Sequence, residues 1–160
     1  IIEEIAENIS SLFPIANVRE RSYAVNQLTA WDLEQMKKFF YGFWVLRNPL
    51  EPETEWNKYY KGVKKANELF SANKIKGFAT DRGRIYLKYG TADYIENSVH
   101  DSNMLPYQIW NYNKIDEQTN LVFIFAETSV GTNDYELIHS NLRGEIYNPN
   151  WKNIVIKTKF

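Results

Sequence analysis

The stretch YQIWNYNKIDEQTNLVFIF, residues 107–125, decides how this chain folds. Tyr107, Ile109 and Asn111 alternate with Gln108, Trp110 and Tyr112, the period of two expected of a strand with two different faces. Leu121 to Phe125 is an unbroken apolar run of strand length, which predicts a central strand buried on both faces.

Toward the C-terminus, Tyr135 to Ser140 reads as a further strand after the turn-forming Gly131-Thr132-Asn133-Asp134, so the last pair is expected to form a hairpin. Toward the N-terminus, Ile85, Leu87 and Tyr89 alternate with Arg84, Tyr86 and Lys88, and this segment reads as the first strand. The links between 107–113, 121–127 and 135–140 are too short for parallel crossovers, so an antiparallel meander of about four strands is predicted.

Before Lys76 the apolar period is helical. Ile2, Ile5, Ile9 and Leu12 form a stripe that stops before Pro14, and a polar stretch runs from Asn17 to Leu28, so 1–28 reads as a helical lead-in. Thr29 and Asp32 read as cap and first turn of a helix carrying Leu33, Met36, Phe40 and Phe43, ending near Arg47 because Pro49 disfavours helical geometry at Asn48. Pro52 and Thr54 open the next helix, with Trp56, Tyr60, Val63, Asn67 and Phe70 three or four apart and an end expected near Asn73. Helices first and strands afterwards is the α+β pattern, here with the N-terminal helices packed on a C-terminal sheet. Residues 152–160 read as an edge strand or the start of a following segment.

At 160 residues, 44% hydrophobic and 24% charged, the chain is an ordinary globular composition and implies one domain. A net charge of -1 removes the long-range field of a general nucleic-acid binder, so no nucleic-acid partner is expected. With no cysteine and only His100 and His139, a thiolate or histidine-rich metal centre is not expected, nor any cofactor. No apolar run reaches the length of a membrane span. The chain starts at Ile1 rather than methionine, so it reads as a fragment or processed product whose targeting segment would lie upstream.

Gly77-Phe78-Ala79-Thr80-Asp81, continuing through Arg82-Gly83-Arg84 to Tyr89-Gly90, resembles the motif that gives the GWxTD family its name. Phe43-Trp44 with Arg47-Asn48-Pro49 resembles the family's F-W-x-x-R-D-P, Pro106 to Trp110 its P-Y-E-I-W strand, and Tyr135 to Ser140 its terminal strand. The resemblance covers roughly residues 39–151. Phe78 stands where the family has Trp, Asn48 where it has Asp, and Thr91-Ala92 where Pro-Pro is usual. The resemblance implies a secreted or lipoprotein domain of the Bacteroidota cell envelope, periplasmic or outer-membrane-associated, with no established activity and therefore no catalytic residues to carry over.

The densest polar cluster is Thr80, Asp81, Arg82 and Arg84. Thr and Asp can tie down their own turn, Gly83 tolerates geometry that other residues avoid, and an arginine can grip a carboxylate with two bonds, so the cluster reads as a structural corner or, alternatively, a docking site. Tyr86, Trp110 and Tyr112 could share one sheet face, as core or as an open stacking platform for a glycan or peptide. His139 beside Ser140 is no nucleophile and base pair, because successive strand residues point to opposite faces. Asp93, Asp101, Glu127 and Asp134 lie near strand ends, where they could supply an acid and base or a hard-cation site, but no ligand spacing supports a tight metal. The expectation is a non-catalytic interaction module with a protein partner in the envelope; a glycan, peptidoglycan or peptide-binding domain is second, and a hydrolase last.

Overall fold

The computed structural model of the chain describes residues 1–27, 29–99 and 101–157. The chain divides into two compact units, Ile1–Lys65 and Ala66–Phe160, with the division falling inside a helix.

The first unit is helical. α1 (Ile2–Ser10) buries Ile9, and Leu12 is buried in the turn that follows. α2 (Val18–Gln27) occupies the stretch that looked merely polar. Its start is a reciprocal pair: the Glu20 N–H donates to Asn17 Oδ1 at 2.8 Å and the Asn17 N–H to Glu20 Oε1 at 3.0 Å. α3 (Leu33–Arg47) is capped by Asp32 rather than Thr29, with Gln35 N–H donating to Asp32 Oδ1 at 2.9 Å and Asp32 N–H to Gln35 Oε1 at 3.1 Å. The shift has a simple cause, since Gln35 sits three residues past Asp32 and completes the capping box. α4 (Pro52–Phe70) stops three residues short of the expected end at Asn73. Ile9, Ala24, Trp31 and Met36 form one apolar cluster of this unit, and Leu12, Phe43 and Trp44 another. Arg47 grips the Glu20 carboxylate at 3.0 and 2.9 Å with its guanidinium 3.4 Å above the Phe43 ring, which fixes the end of α3 to the start of α2.

The second unit holds the sheet. It opens with the end of α4, a 3-10 turn (Gly77–Ala79) and α5 (Asp81–Tyr89), followed by β1 (Tyr94–Ser98), β2 (Tyr107–Ile115), β3 (Gln118–Ala126) and β4 (Glu136–Ser140). The four strands are antiparallel in the order β1-β2-β3-β4, the expected meander.

One strand was misplaced by sequence reasoning. Residues 84–89, expected as the first strand, are helical, and the first strand lies further on at 94–98. The alternation of Arg84 to Tyr89 fits a strand, but Arg82, Ile85, Tyr86 and Tyr89 also fall at helical spacing, and the ends settle which period wins. Thr80 caps the segment by accepting the Gly83 N–H, and Gly90 closes it at φ 84, a left-handed conformation that suits glycine. β1 was invisible because four of its five residues are exposed, so no buried face imposes alternation.

β3 is apolar on both sides, as its continuous run requires. Leu121, Phe123 and Phe125 join Trp110 and Tyr112 against Ala66, Phe70 and Ile85, whereas Ile124 and Ala126 join Ile138 and Val155. The second cover comes from the C-terminal segment. Residues 152–155 form the short helix α6 (Lys152–Val155) rather than an edge strand, and Ile156 then makes one isolated antiparallel bridge to Met104. The remainder of the expected tail strand, 158–160, lies outside the described residues.

Candidate functional site

The polar cluster of Thr80, Asp81, Arg82 and Arg84 sits at the N-terminus of α5, and two tight backbone contacts bring it there. A Cβ on Gly77 would come within 1.9 Å of the Ala66 carbonyl oxygen, and one on Gly83 within 1.8 Å of the Gly77 carbonyl oxygen. No side chain fits either position, so the 3-10 turn lies against the backbone of α4 and the first turn of α5 against the 3-10 turn. Asn67 and Ser71 add to the first contact, accepting the Phe78 and Gly77 N–H groups at 3.0 Å each.

Each member of the cluster then bonds within the fold. The buried Thr80 hydroxyl donates to the Gly77 carbonyl at 2.7 Å and accepts from Gly83 N–H at 3.1 Å. Asp81 Oδ2 accepts the backbone N–H of Leu137 at 2.7 Å, which ties α5 to β4. Arg82 is 4% exposed; it donates to Gln108 Oε1 at 3.3 Å and to the Asn133 carbonyl and Oδ1 at 2.9 and 3.1 Å. Its guanidinium lies 4.2 Å from the Tyr135 ring centre and 5.0 Å from that of Phe70, while its Nε has no partner among the described residues. Burial pulls its pKa down, opposed by Tyr135, Glu127 and Asp134. Arg84 takes Glu145 with two bonds at 3.0 and 2.8 Å, and the Tyr89 hydroxyl donates to the same carboxylate at 3.1 Å. Burial drives the Tyr89 phenol up to about 12, with the Glu145 charge adding to it.

The three aromatics expected as a platform are dispersed. Trp110 and Tyr112 are 1% and 4% exposed and belong to the core, Trp110 donating to Gln108 Oε1 at 3.0 Å and Tyr112 to the Gly90 carbonyl at 2.8 Å. Tyr86 lies on α5, not on a strand, and is partly buried against that core. An open stacking face is therefore not formed by these residues, because α5 covers the sheet face that would have carried it.

The strand-end carboxylates also serve the backbone. Glu127 accepts the Gly131 and Asn133 N–H groups at 2.8 and 3.1 Å and so shapes the β3–β4 loop, Asp93 accepts Asn113 N–H at 2.8 Å, and Asp101 accepts Asn103 N–H at 2.8 Å. Among the described residues no three His, Asp or Glu side chains gather as a metal site, and no helix is long and apolar enough to cross a membrane. His139 is buried, accepts Asn148 N–H on Nδ1 at 2.9 Å and lies beside the Tyr147 ring, opposite in direction to Ser140, whose hydroxyl donates to the Val122 carbonyl. His100 lies outside the described residues.

Sequence reasoning missed Glu145, Gln108 and Asn133. Each lies 26 to 61 positions from its arginine, and no local pattern marks such a pairing.

A four-stranded antiparallel meander, a covering helix and a glycine-tight turn that leads into the helix N-terminus define an α+β domain built around one structural corner. The family model described as the GWxTD domain matches residues 11–159, and the chain belongs to that family. No curated protein and no solved structure matches the chain.

Proposed function

We propose that this chain is a non-catalytic interaction module of a cell-envelope protein, and that it docks a protein partner through the helical first unit. The observation that carries this reading is the apolar surface on and after α3. Leu46 and Leu50 are 81% and 93% exposed, and two largely apolar grooves flank the helix, one lined by Phe39, Phe43, Val45 and Leu46 with Glu20 and Lys38 at its edge, the other by Phe40, Tyr41, Trp44 and Trp56 with Glu53. Exposed apolar surface gathered on one stretch of chain favours a macromolecular partner, whereas a small polar ligand calls for a concave site with convergent polar groups. The side chains with the richest chemistry, Thr80 to Arg84, support the same reading, since their bonds are spent inside the fold. The envelope setting rests on the family resemblance.

The test is affinity purification of the tagged full-length protein from gently solubilised native envelopes, beside the Leu46→Asp and Leu50→Asp variants. A stoichiometric partner lost in the variants, with their melting temperature unchanged, supports the reading. A partner retained by both variants sinks the assignment to this surface, and a preparation without partners redirects the search to glycan and peptidoglycan binding.

A further inference from the structure

Between α3 and the start of α4, wholly within the first unit, lies a groove of about 180 Å³ lined by Phe40, Tyr41, Trp44, Pro52, Glu53 and Trp56. Its walls are aromatic and set at steep angles: Phe40 meets Trp56 at 84° with ring centres 4.7 Å apart, and Trp44 meets Trp56 at 53° and 5.8 Å. Tyr41 is 64% exposed at the mouth, so the groove opens to solvent. The one charged lining residue is Glu53, which has no ion-pair partner among the described residues and stands in an acidic first turn with Glu55. Trp44 is almost fully buried, and its indole N–H has no acceptor among the described residues.

Aromatic faces carry partial negative charge and attract a cation, and a carboxylate at the rim adds a directional bond. Arginine suits such a site better than lysine because its flat guanidinium stacks on a ring while its edge pairs with a carboxylate. The fold fills similar arrangements with its own arginines. Arg47 lies 3.4 Å above Phe43 while gripping Glu20, and Arg82 lies against Tyr135 and Phe70. The groove beside Glu53 repeats the aromatic and acidic components, with no arginine of this chain among its lining residues.

We infer that this groove receives an arginine side chain presented by the partner protein. The inference rests on the docking reading above and adds the chemistry of the contact.

The experiment is an NMR titration of the full ¹⁵N-labelled chain, following the tryptophan indole N–H signals, with two peptides: acetyl-Gly-Arg-Gly-amide and its citrulline counterpart, which keeps the shape and removes the charge. The expected result is movement of the Trp44 and Trp56 signals and binding roughly fivefold tighter for the arginine peptide. That preference should shrink in Glu53→Gln, leaving only the part the aromatic faces supply, and both peptides should weaken in Tyr41→Ala; both positions are exposed, so folding is retained. Equal response to the two peptides, an unchanged preference in Glu53→Gln, or unmoved Trp44 and Trp56 signals would overturn the inference. A purified partner that is lost in Leu46→Asp while the peptides fail to discriminate would leave the docking reading standing and remove the arginine alone.

Discussion

The carboxylate of Asp81 accepts the backbone N–H of Leu137 at 2.7 Å, so a side chain in the first turn of α5 satisfies a main-chain donor of strand β4, 56 residues away. One short bond thus joins the motif helix to the last strand of the sheet. Removing the acceptor leaves a partly buried N–H without its partner, at a cost of about 1–3 kcal/mol. Asp81→Ala should therefore lower the melting temperature by several degrees, at roughly 2–4 °C per kcal/mol for a chain of this size, and Asp81→Asn, which keeps an oxygen, by less. Thermal unfolding followed by circular dichroism checks both, and an unaltered Asp81→Ala melt would show that the bond contributes nothing.

The glycines of the corner and of α3 should respond with opposite signs. Gly83→Ala places a methyl against the Gly77 carbonyl, where the backbone must move, and a loss of about 3 kcal/mol or more is expected. Gly42→Ala meets nothing within 4 Å and sits inside α3, so a gain of about 0.5–1 kcal/mol is expected from helix propensity. Urea unfolding of the two variants measures the contrast directly.

Glu145 gives the corner an acid limit. Burial alone would raise its pKa, but the Arg84 bonds and charge, with the Tyr89 bond, outweigh it and hold the carboxyl below its ordinary 4.5. A folded pKa below the unfolded one means that the unfolded chain binds the proton more readily. The stabilisation is therefore complete above pH 4.5 and is lost as pH falls through the lower folded value. Glu145→Gln should cost about 1–3 kcal/mol at neutral pH, and the gap to the parent should close on acidification. Stability measured from pH 7 to pH 3 in denaturant reads this; a constant gap would show that Glu145 does not titrate with folding.

His139 adds a second window at milder pH. Burial lowers its pKa from 6.5, and its Nδ1 must stay unprotonated to accept the Asn148 N–H. Stability is complete above 6.5 and declines as pH falls from there toward the folded value, because the unfolded chain takes up the proton first. His139→Asn can keep an acceptor near the position of Nδ1, so its stability should change less between pH 7.5 and pH 5.5 than that of the parent. Equal pH responses for the two proteins would remove His139 as the source.

The division between what the residues announced and what they concealed follows the range of the forces. Strands β2, β3 and β4 were legible because burial of a face writes itself into the residues as period two or as an unbroken apolar run, and α1, α3 and α4 because a buried stripe repeats every three or four positions. α2 escaped because only Ala24 of its residues is buried, leaving the Asn17 and Glu20 capping pair as its one local mark. α5 carried both periods at once, and Thr80 and Gly90 at its ends, not its interior, separate them.

The sequence by itself determined the α+β order, the antiparallel run of β2, β3 and β4, the apolar centre at 121–125 and the family, since each is carried by short local patterns. Only the tertiary structure decided where Arg82, Arg84 and Asp81 find Asn133, Glu145 and Leu137, that Trp110 and Tyr112 are core, and that an acidic aromatic groove opens beside Glu53. Those are pairings between distant positions, and a polar residue whose partner lies tens of residues away leaves no periodic trace in the chain; the geometry of the packed elements selects it.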